Sequence, residues 1–464
     1  MLQATTSKWH LPEVGILINQ FIEQSLLTQR MIKVNKIKIP VTNILLVRQM
    51  RKKIRKMKIK ATLLIVLLTS MQQLIAQNTP SQKIDEFIQQ KGDGFNIAYD
   101  KKDEKAYNAL LSEYLVLHEK LSVDEKKERS YELSNIYYNL TCIYSLLDNK
   151  SSAINCFKKS IDAGYNNYGH VQLDTDLDNI RKEKDFVALN NKLKLTGDYL
   201  YILKGADKYN LSDSRPLPKF NYQASDNPNL MALRKGFNLD SIAGQGNDVL
   251  KILNLLHWVH NLVPHDGNHG NPEVKNALSM INVCKKDGRG LNCRGLALVL
   301  NECYLAMGIK SRIVTCYPKD ILKIDPDCHV INSVYSESLK KWLWIDPTFN
   351  AYVMNEKGEM LGIEEVRERL ITDKTLILNP DANWNNQNPQ TKENYLYNYM
   401  AKNLYMLECP ANSEYNMETF REEKNISYIK LLPLDYENQK PDKVEAEGKL
   451  TVYKTNNPKV FWEN

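Results

Sequence analysis

The stretch "GRGLNCRGLALVLNECYLAMG", residues 288–308, joins a glycine-rich turn to a strongly apolar segment. Its apolar side chains repeat at helical spacing and form one stripe, made of Leu296, Leu300, Cys303, Tyr304 and Met307. This pattern predicts a buried helix that begins at Cys293 and stops at Gly308. A helix N-terminus lowers the pKa of a thiol, because its unpaired N–H groups and its dipole stabilise the thiolate. Cys293 is therefore a candidate nucleophile, and the alternative is a cysteine that only packs.

Three strand-like runs follow this helix, "SRIVTCYP" at 311–318, "CHVINSVYSE" at 328–337 and "KKWLWIDPT" at 340–348. His329 lies in the second run, and Asp346 lies seventeen residues later at the end of the third. Two adjacent strands with a short turn near residues 338–341 would bring these side chains together on one face. A cysteine nucleophile needs such a base and a group that orients it. One helix before an antiparallel sheet indicates an α+β fold.

The order Cys, His, Asp and the flanking segments "GLNCRGLALVL", "GIKSRIVTCY", "DCHVINSVY" and "WLWIDPT" resemble the transglutaminase-like superfamily. The resemblance covers about residues 245–355. It implies a papain-like fold, in which the nucleophile helix packs on an antiparallel sheet. It also implies that Cys293 is the nucleophile, that His329 is the general base and acid, and that Asp346 orients the imidazole. Such chemistry requires no cofactor and no metal.

The oxyanion of the reaction needs hydrogen-bond donors, and the backbone N–H of Cys293 is the first of them. By the same resemblance, Trp258 is a candidate for the second, because the tryptophan of animal transglutaminases donates its indole N–H. The alternative is that Trp258 is a core tryptophan.

Four of the eight histidines, His257, His260, His265 and His269, lie close together in "HWVHNLVPHDGNH". His257 and His260 share a helix face and Asp266 is nearby, so a metal site is one interpretation. No acid or thiol completes a recognised ligand spacing, however. The cluster therefore favours a loop near the mouth of the cleft over a metal site.

Residues 77–195 have helical patterns throughout, which predicts an N-terminal all-α domain. The segment at 135–165, "NIYYNLTCIYSLLDNKSSAINCFKKSIDAGY", resembles a tetratricopeptide repeat. The resemblance rests on the packing positions Tyr137, Leu140, Tyr144, Ala153 and Phe157. It implies a surface that binds a protein partner, and a generic helical hairpin is the alternative.

Residues 1–76 form a basic leader that predicts export. Residues 1–60 contain 13 Lys and Arg and two acidic residues, so the remaining 404 residues of the chain carry a net charge of −4. Within the leader, "MKIKATLLIVLLTSMQQLIA" at 57–76 is typical of a signal peptide cleaved before Gln77, with Met50 or Met57 as the true start. We expect a periplasmic or extracellular protein without an integral membrane span after cleavage. An uncleaved N-terminal anchor is the alternative.

The rest of the chain divides by composition. Residues 196–245 are rich in Asn, Asp, Pro and Ser and predict a linker or an irregular wrap. Residues 246–375 form the predicted catalytic core, which opens with a helix from about 247 to 262. Residues 376–464 are expected to complete that domain with a helix in "YLYNYMAKNLYMLE" and strands in "ISYIKLLPL" and "KLTVYK".

These patterns predict an exported cysteine hydrolase or acyl transferase that cleaves amide bonds of peptides or proteins through a thioester. With water as acceptor it would be a peptidase or amidase, and with an amine a cross-linking enzyme. Release of glycans from glycopeptides would use the same triad. The competing prediction is a non-catalytic binding protein that holds a peptide or partner protein on its repeat. The sequence has no P-loop, dinucleotide motif or basic patch after the leader, so nucleotide and nucleic-acid roles have no support.

Overall fold

The computed structural model describes residues 79–206, 208–213, 217–319, 327–419, 424–435, 443–446 and 449–462. The predicted leader and signal peptide, residues 1–76, lie outside these described residues. The chain forms two compact units, and the boundary between them falls after Ile143, inside a helix. In the described residues, no helix has the length and apolar character that crossing a bilayer requires.

The first unit is built from helices with well-formed ends. They are α1 (Pro80–Asp100), α2 (Glu104–His118), α3 (Val123–Glu128) and most of α4 (Ser130–Leu146). Thr79 and Ser122 each form a capping box, with Gln82 and Glu125, because a hydroxyl can accept an otherwise unpaired N–H of the first turn. Aromatic rings fill the space between α1 and α2, for example Phe95 against Tyr107.

The second unit also opens with helices, α5 (Lys150–Asp162), α6 (Tyr168–Leu173), α7 (Lys184–Gly197) and α8 (Tyr199–Lys204). Phe157 of α5 stacks on Phe186 of α7, and both rings are buried. Every regular element within residues 79–206 is helical, as predicted. The resemblance to a tetratricopeptide repeat stays a prediction, since helices alone do not establish that repeat.

Residues 196–245 contain more regular structure than a linker. They include the end of α7, helix α8, strand β1 (Asn221–Tyr222) and helices α9 (Pro228–Gly236) and α10 (Leu239–Ala243). Leu230 and Leu233 of α9 are completely buried in the same hydrophobic cluster as the central helix described next. The segment is therefore part of the packed unit.

Three helices lead to the sheet: α11 (Asp248–Leu262), α12 (Ala277–Asp287) and α13 (Cys293–Ala306). Helix α13 is the most buried of the three, and every residue from Gly295 to Ala306 is shielded from solvent. A helix that is apolar on most sides must pack on several elements. It contacts α9, α11, α12 and two strands of the sheet. It begins at Cys293 as predicted, and Gly308 follows its end with a φ of 76°, a left-handed conformation that glycine adopts easily.

The strands of the main sheet are β2 (Ser311–Tyr317), β3 (His329–Ser336), β4 (Lys341–Ile345), β9 (Met406–Pro410), β11 (Ile426–Leu431), β12 (Lys443–Ala446) and β13 (Leu450–Thr455). In the described part of the chain, these seven strands have the order β12-β13-β11-β9-β2-β3-β4. The pairing is antiparallel except between β11 and β13, which are parallel. The three strands predicted after the central helix are confirmed, and the fold is α+β.

The remaining elements of the second unit are short. They are β5 (Val353–Met354), α14 (Ile363–Ile371), β6 (Ile377–Leu378), β7 (Asn383–Trp384), β8 (Asn388–Pro389), a π-helix (Glu393–Met400), α15 (Ala401–Asn403), β10 (Asn412–Ser413) and α16 (Pro458–Trp462). The helix predicted at 395–408 ends at Asn403, and Met406 already begins the buried strand β9. A short apolar run has no period that distinguishes a buried strand from the end of a helix.

Candidate active site

The N-terminus of α13 is held by two asparagines. Asn292 is the N-cap, and its Oδ1 accepts the N–H of Gly295 at 3.1 Å. The Nδ2 of Asn271 donates to the same oxygen at 2.7 Å, while its Oδ1 accepts the N–H of Asn292 at 3.2 Å. Cys293 is consequently fixed in the first helical turn, and its sulfur lies 4.0 Å from the backbone oxygen of Cys328.

The hairpin of β3 and β4 supplies the other two triad candidates. Its register pairs Asn332 with Ile345, and one further step would place Asp346 opposite Ile331, two residues from His329. Alternate residues of a strand share a face, so His329 and Asp346 project to the same side. Their side chains are 1% and 0% exposed, and Nε2 of His329 lies 2.7 Å from Oδ2 of Asp346. The structure thus brings the residues predicted from the sequence together.

Both oxygens of Asp346 accept hydrogen bonds. Oδ2 accepts the hydroxyl of Tyr395 at 2.6 Å in addition to the imidazole of His329. Oδ1 accepts the backbone N–H of Thr348 at 2.9 Å and, at 3.4 Å, that of Phe349. This set of donors fits a carboxylate, whose two oxygens only accept. Since Nε2 of His329 is held by Asp346, Nδ1 is the nitrogen that remains for Cys293.

The surroundings of Cys293 and His329 favour a negative charge on the sulfur and a positive charge on the imidazole. Burial alone would raise the pKa of Cys293, but hydrogen bonds with His265 and His329 and the charge of His329 lower it to about 6. Burial alone would lower the pKa of His329, but the charge and the hydrogen bond of Asp346 raise it to about 10. A thiolate and an imidazolium are therefore favoured near neutral pH, which is the reactive state of a cysteine nucleophile.

His265 is the second histidine beside Cys293 and comes from the loop after α11. Its Nδ1 accepts the indole N–H of Trp384 at 3.2 Å. Asn385 fixes its backbone on both sides, since Oδ1 of Asn385 accepts the N–H of His265 at 2.7 Å and its Nδ2 donates to the carbonyl at 3.0 Å. His265 also forms a parallel β-bridge with Leu291, two residues before Cys293.

The other residues singled out in the sequence lie elsewhere. Trp258 of α11 packs against Phe237, with ring centroids 5.5 Å apart, so its role as oxyanion donor stays a prediction. His257 contacts Asn350, His260 is held between Pro347 and Asn383, and His269 pairs with Asp266. Each of these three histidines thus has its own polar partner.

Four residues of the site were not predicted from the sequence. Tyr395 and Tyr399 are one turn apart on the π-helix, and the hydroxyl of Tyr399 lies 3.4 Å from Nδ1 of His329. Trp344 donates its indole N–H to Tyr395 at 3.0 Å, and Trp384 orients His265. A π-helix is rare and often marks a functional site, but its sequence has no distinct period.

Comparisons with known proteins each match only part of this chain. Residues 236–347 match the family model described as the transglutaminase-like superfamily. A crystal structure from Cytophaga hutchinsonii, provisionally described as a cysteine protease, is similar at 21% identity and a TM-score of 0.22, over 31% of this chain and 43% of that chain. A chloroplastic protein from Arabidopsis thaliana is 32% identical over 68 residues, which is 15% of this chain. The chain spans only 20% of that curated protein. On the match to the family model, residues 236–347 are a transglutaminase-like domain.

Proposed function

We propose that this protein is a cysteine hydrolase or acyl transferase that attacks amide carbonyls of peptides or proteins, with Cys293, His329 and Asp346 as its triad. The observation that carries the proposal is the buried His329–Asp346 pair beside a cysteine at a helix N-terminus. A buried ion pair of this kind is costly unless it is well paired, and a thiolate stabilised by an imidazolium is the arrangement that nucleophilic catalysis requires.

The reaction proceeds through a thioester. The sulfur of Cys293 adds to the amide carbon, and the carbonyl π-electrons move to oxygen to form a tetrahedral oxyanion. When the oxyanion collapses, the C–N bond breaks and the proton on Nδ1 of His329 passes to the leaving amine. His329, now neutral, takes a proton from the incoming water or amine, whose attack releases the acyl group and restores the thiolate.

Export is a further part of the proposal. The apolar run from 61 to 68 with its basic flank supports secretion, and the charge balance of the chain beyond the leader is that of an ordinary soluble protein. The test is expression of the full chain in a bacterial host with a periplasm, followed by fractionation and mass determination of the mature N-terminus. A periplasmic protein that begins at Gln77 supports export, and a membrane-bound chain that keeps residues 57–76 supports the uncleaved anchor. A chain that keeps its leader in the cytoplasmic fraction argues against export.

The triad is tested by alkylation of the chain from Gln77 with iodoacetamide at pH 6, followed by peptide mapping. Cys293 should react rapidly, and His329→Ala should slow it. Cys328 is a useful internal reference, because it adjoins the same site and burial raises the pKa of its thiol to about 11.

A panel of peptide amides, with and without a primary amine, then separates hydrolysis from acyl transfer. Release of ammonia or amine without incorporation of the added amine indicates a peptidase or amidase. Incorporation indicates a transferase. If iodoacetamide alkylates Cys293 no faster than an ordinary thiol, or at the same rate in His329→Ala, the enzyme proposal fails. The non-catalytic binding protein is then the better account.

A further inference from the structure

We propose that His265 is a catalytic residue that donates its Nε2–H to the oxyanion of the tetrahedral intermediate. This inference rests on the function proposed above, because an oxyanion forms only if Cys293 attacks a carbonyl. His265 lies beside the nucleophile, because it forms a β-bridge with Leu291, two residues before Cys293, and its imidazole lowers the pKa of the Cys293 thiol.

Trp384 determines the tautomer of the neutral His265 ring. An indole nitrogen can only donate, so the 3.2 Å contact with Trp384 makes Nδ1 of His265 the acceptor. In the neutral ring the proton must then lie on Nε2, which becomes the donor toward Cys293. This is the reverse of a general base, which must present an unprotonated nitrogen. His329, oriented by Asp346, already occupies the role of base.

The position of His265 is fixed by its backbone as well as by its ring. The bridge to Leu291 ties it to the segment that leads into Cys293, and Asn385 bonds both its N–H and its carbonyl. A donor held by several contacts needs no rearrangement when charge develops, and preorganisation of this kind is the main source of oxyanion stabilisation. Helix capping by Asn292 fixes the backbone N–H of Cys293, the other expected donor, in the same way.

The bonds of the tetrahedral intermediate bring its oxyanion close to Nε2 of His265. The carbonyl carbon bonds to the sulfur of Cys293, so its oxygen is two bonds from the atom with which His265 already interacts. In the free enzyme the Nε2–H stabilises the thiolate, and during attack the negative charge moves from sulfur to oxygen. One donor can therefore serve both states and binds more strongly to the harder oxygen.

Two probes of the same sulfur separate these roles. Iodoacetamide reacts by displacement and forms no oxyanion, whereas 4-nitrophenyl acetate acylates Cys293 through a tetrahedral oxyanion. Both rates are measured at pH 8 to 9, where the thiolate is formed, on the chain from Gln77. We expect His265→Ala to slow acylation on the order of 10²-fold, within the range for loss of one oxyanion donor, while alkylation changes less than about tenfold.

Further variants keep the test decisive if His265→Ala fails to fold. His265→Gln retains an N–H donor and should recover part of the acylation rate. Trp384→Phe leaves His265 in place but removes the group that fixes its proton, so it should slow acylation selectively and by a smaller factor. Trp258→Phe tests the competing donor predicted from the sequence, and His269→Ala is the matched control. If His265 is the donor, neither variant should change the ratio of the two rates.

The outcomes distinguish the two proposals. If both rates fall equally in the His265 variants, His265 only adjusts the thiol and the oxyanion role is overturned. If Trp258→Phe is the variant with selective loss, the donor is Trp258 instead. If the wild-type protein reacts with neither probe faster than a free thiol, the proposed function itself fails, and the role of His265 fails with it.

Discussion

The imidazole of His329 donates from Nε2 to Oδ2 of Asp346 across 2.7 Å, and both side chains are shielded from solvent. Both oxygens of this carboxylate accept hydrogen bonds, from His329, Tyr395 and the backbone N–H groups of Thr348 and Phe349.

In Asp346→Asn, one of these oxygens becomes an NH₂ group. Whichever way the amide is oriented, this NH₂ group would face hydrogen-bond donors instead of acceptors. We expect the ring of His329 to lose its orientation and acylation by 4-nitrophenyl acetate to fall on the order of 10²–10⁴-fold. Asp373→Asn, at an exposed carboxylate, is the control and should retain the rate. Equal rates in both variants would show that Asp346 has no catalytic role.

The pH dependence of alkylation reports the thiolate of Cys293. Because its pKa is lowered to about 6, the reactive anion persists as the pH falls from the alkaline side down to about 6. The iodoacetamide rate should therefore rise with a midpoint near pH 6, and His329→Ala should move that midpoint upward, since one hydrogen bond and one positive charge are lost. A wild-type midpoint near the ordinary thiol value would contradict the ion pair.

Acyl transfer needs the thiolate and the protonated imidazole together. The pKa of His329 is raised to about 10, so the imidazolium is present below that pH and is lost above it. The rate of amide cleavage should rise near pH 6 and fall near pH 10. Alkylation, which needs no proton donor, should lack the descending limb. A descending limb in both profiles would indicate unfolding rather than titration of His329.

The sequence was sufficient for the parts of the site that local pattern encodes. Cys293 follows a glycine-rich turn and begins an apolar helix, and the distance from His329 to Asp346 fits one hairpin. Asp346 could be placed because this spacing and the family resemblance point to the same residue, and the observed register puts Asp346 on the face that His329 occupies.

The residues around the triad could not be predicted in this way. Trp384 reaches His265 from 119 positions away, and Tyr395 reaches Asp346 from 49. Such contacts depend on tertiary packing of loops and a π-helix, for which the sequence carries no period. The group of four histidines was recognisable, but its sequence did not show which member lies beside Cys293. In the structure His265 lowers the pKa of Cys293, and His257, His260 and His269 have polar partners of their own.

Tyr395→Phe tests the hydrogen bonds by which the Tyr395 hydroxyl links Asp346 to Trp344. The hydroxyl of Tyr395 donates to Asp346 and accepts the indole N–H of Trp344, and both rings are completely buried. Its removal leaves a buried donor unpaired, which costs about 1–3 kcal/mol of the free energy of unfolding. Urea denaturation followed by tryptophan fluorescence measures this loss. Tyr397→Phe, two residues away on the same helix and only partly buried, is the control, and an equal loss in both variants would contradict the role of the Tyr395 hydroxyl.

Gly290→Ala tests whether the approach of the His265 loop to the nucleophile matters. A Cβ at Gly290 would lie 2.3 Å from the carbonyl oxygen of Pro264 and 2.7 Å from Cβ of Asp266, the two neighbours of His265. The loop must therefore move, at a cost of about 1–3 kcal/mol of stability, as in other overpacked sites. Its displacement should also weaken the hydrogen bond from His265, so the alkylation midpoint of Cys293 should rise and acylation should slow.

Gly270→Ala is the matched control for this change, because a Cβ there meets no atom within 4 Å. It should alter the free energy of unfolding by less than about 0.5 kcal/mol and leave both rates unchanged. Urea denaturation and the two probe reactions are measured on both variants. If Gly290→Ala lowers stability but leaves the alkylation midpoint and the ratio of acylation to alkylation unchanged, the loop contributes to folding alone. In that case the packing of Pro264 and Asp266 on Gly290 would not determine the position of His265 beside Cys293.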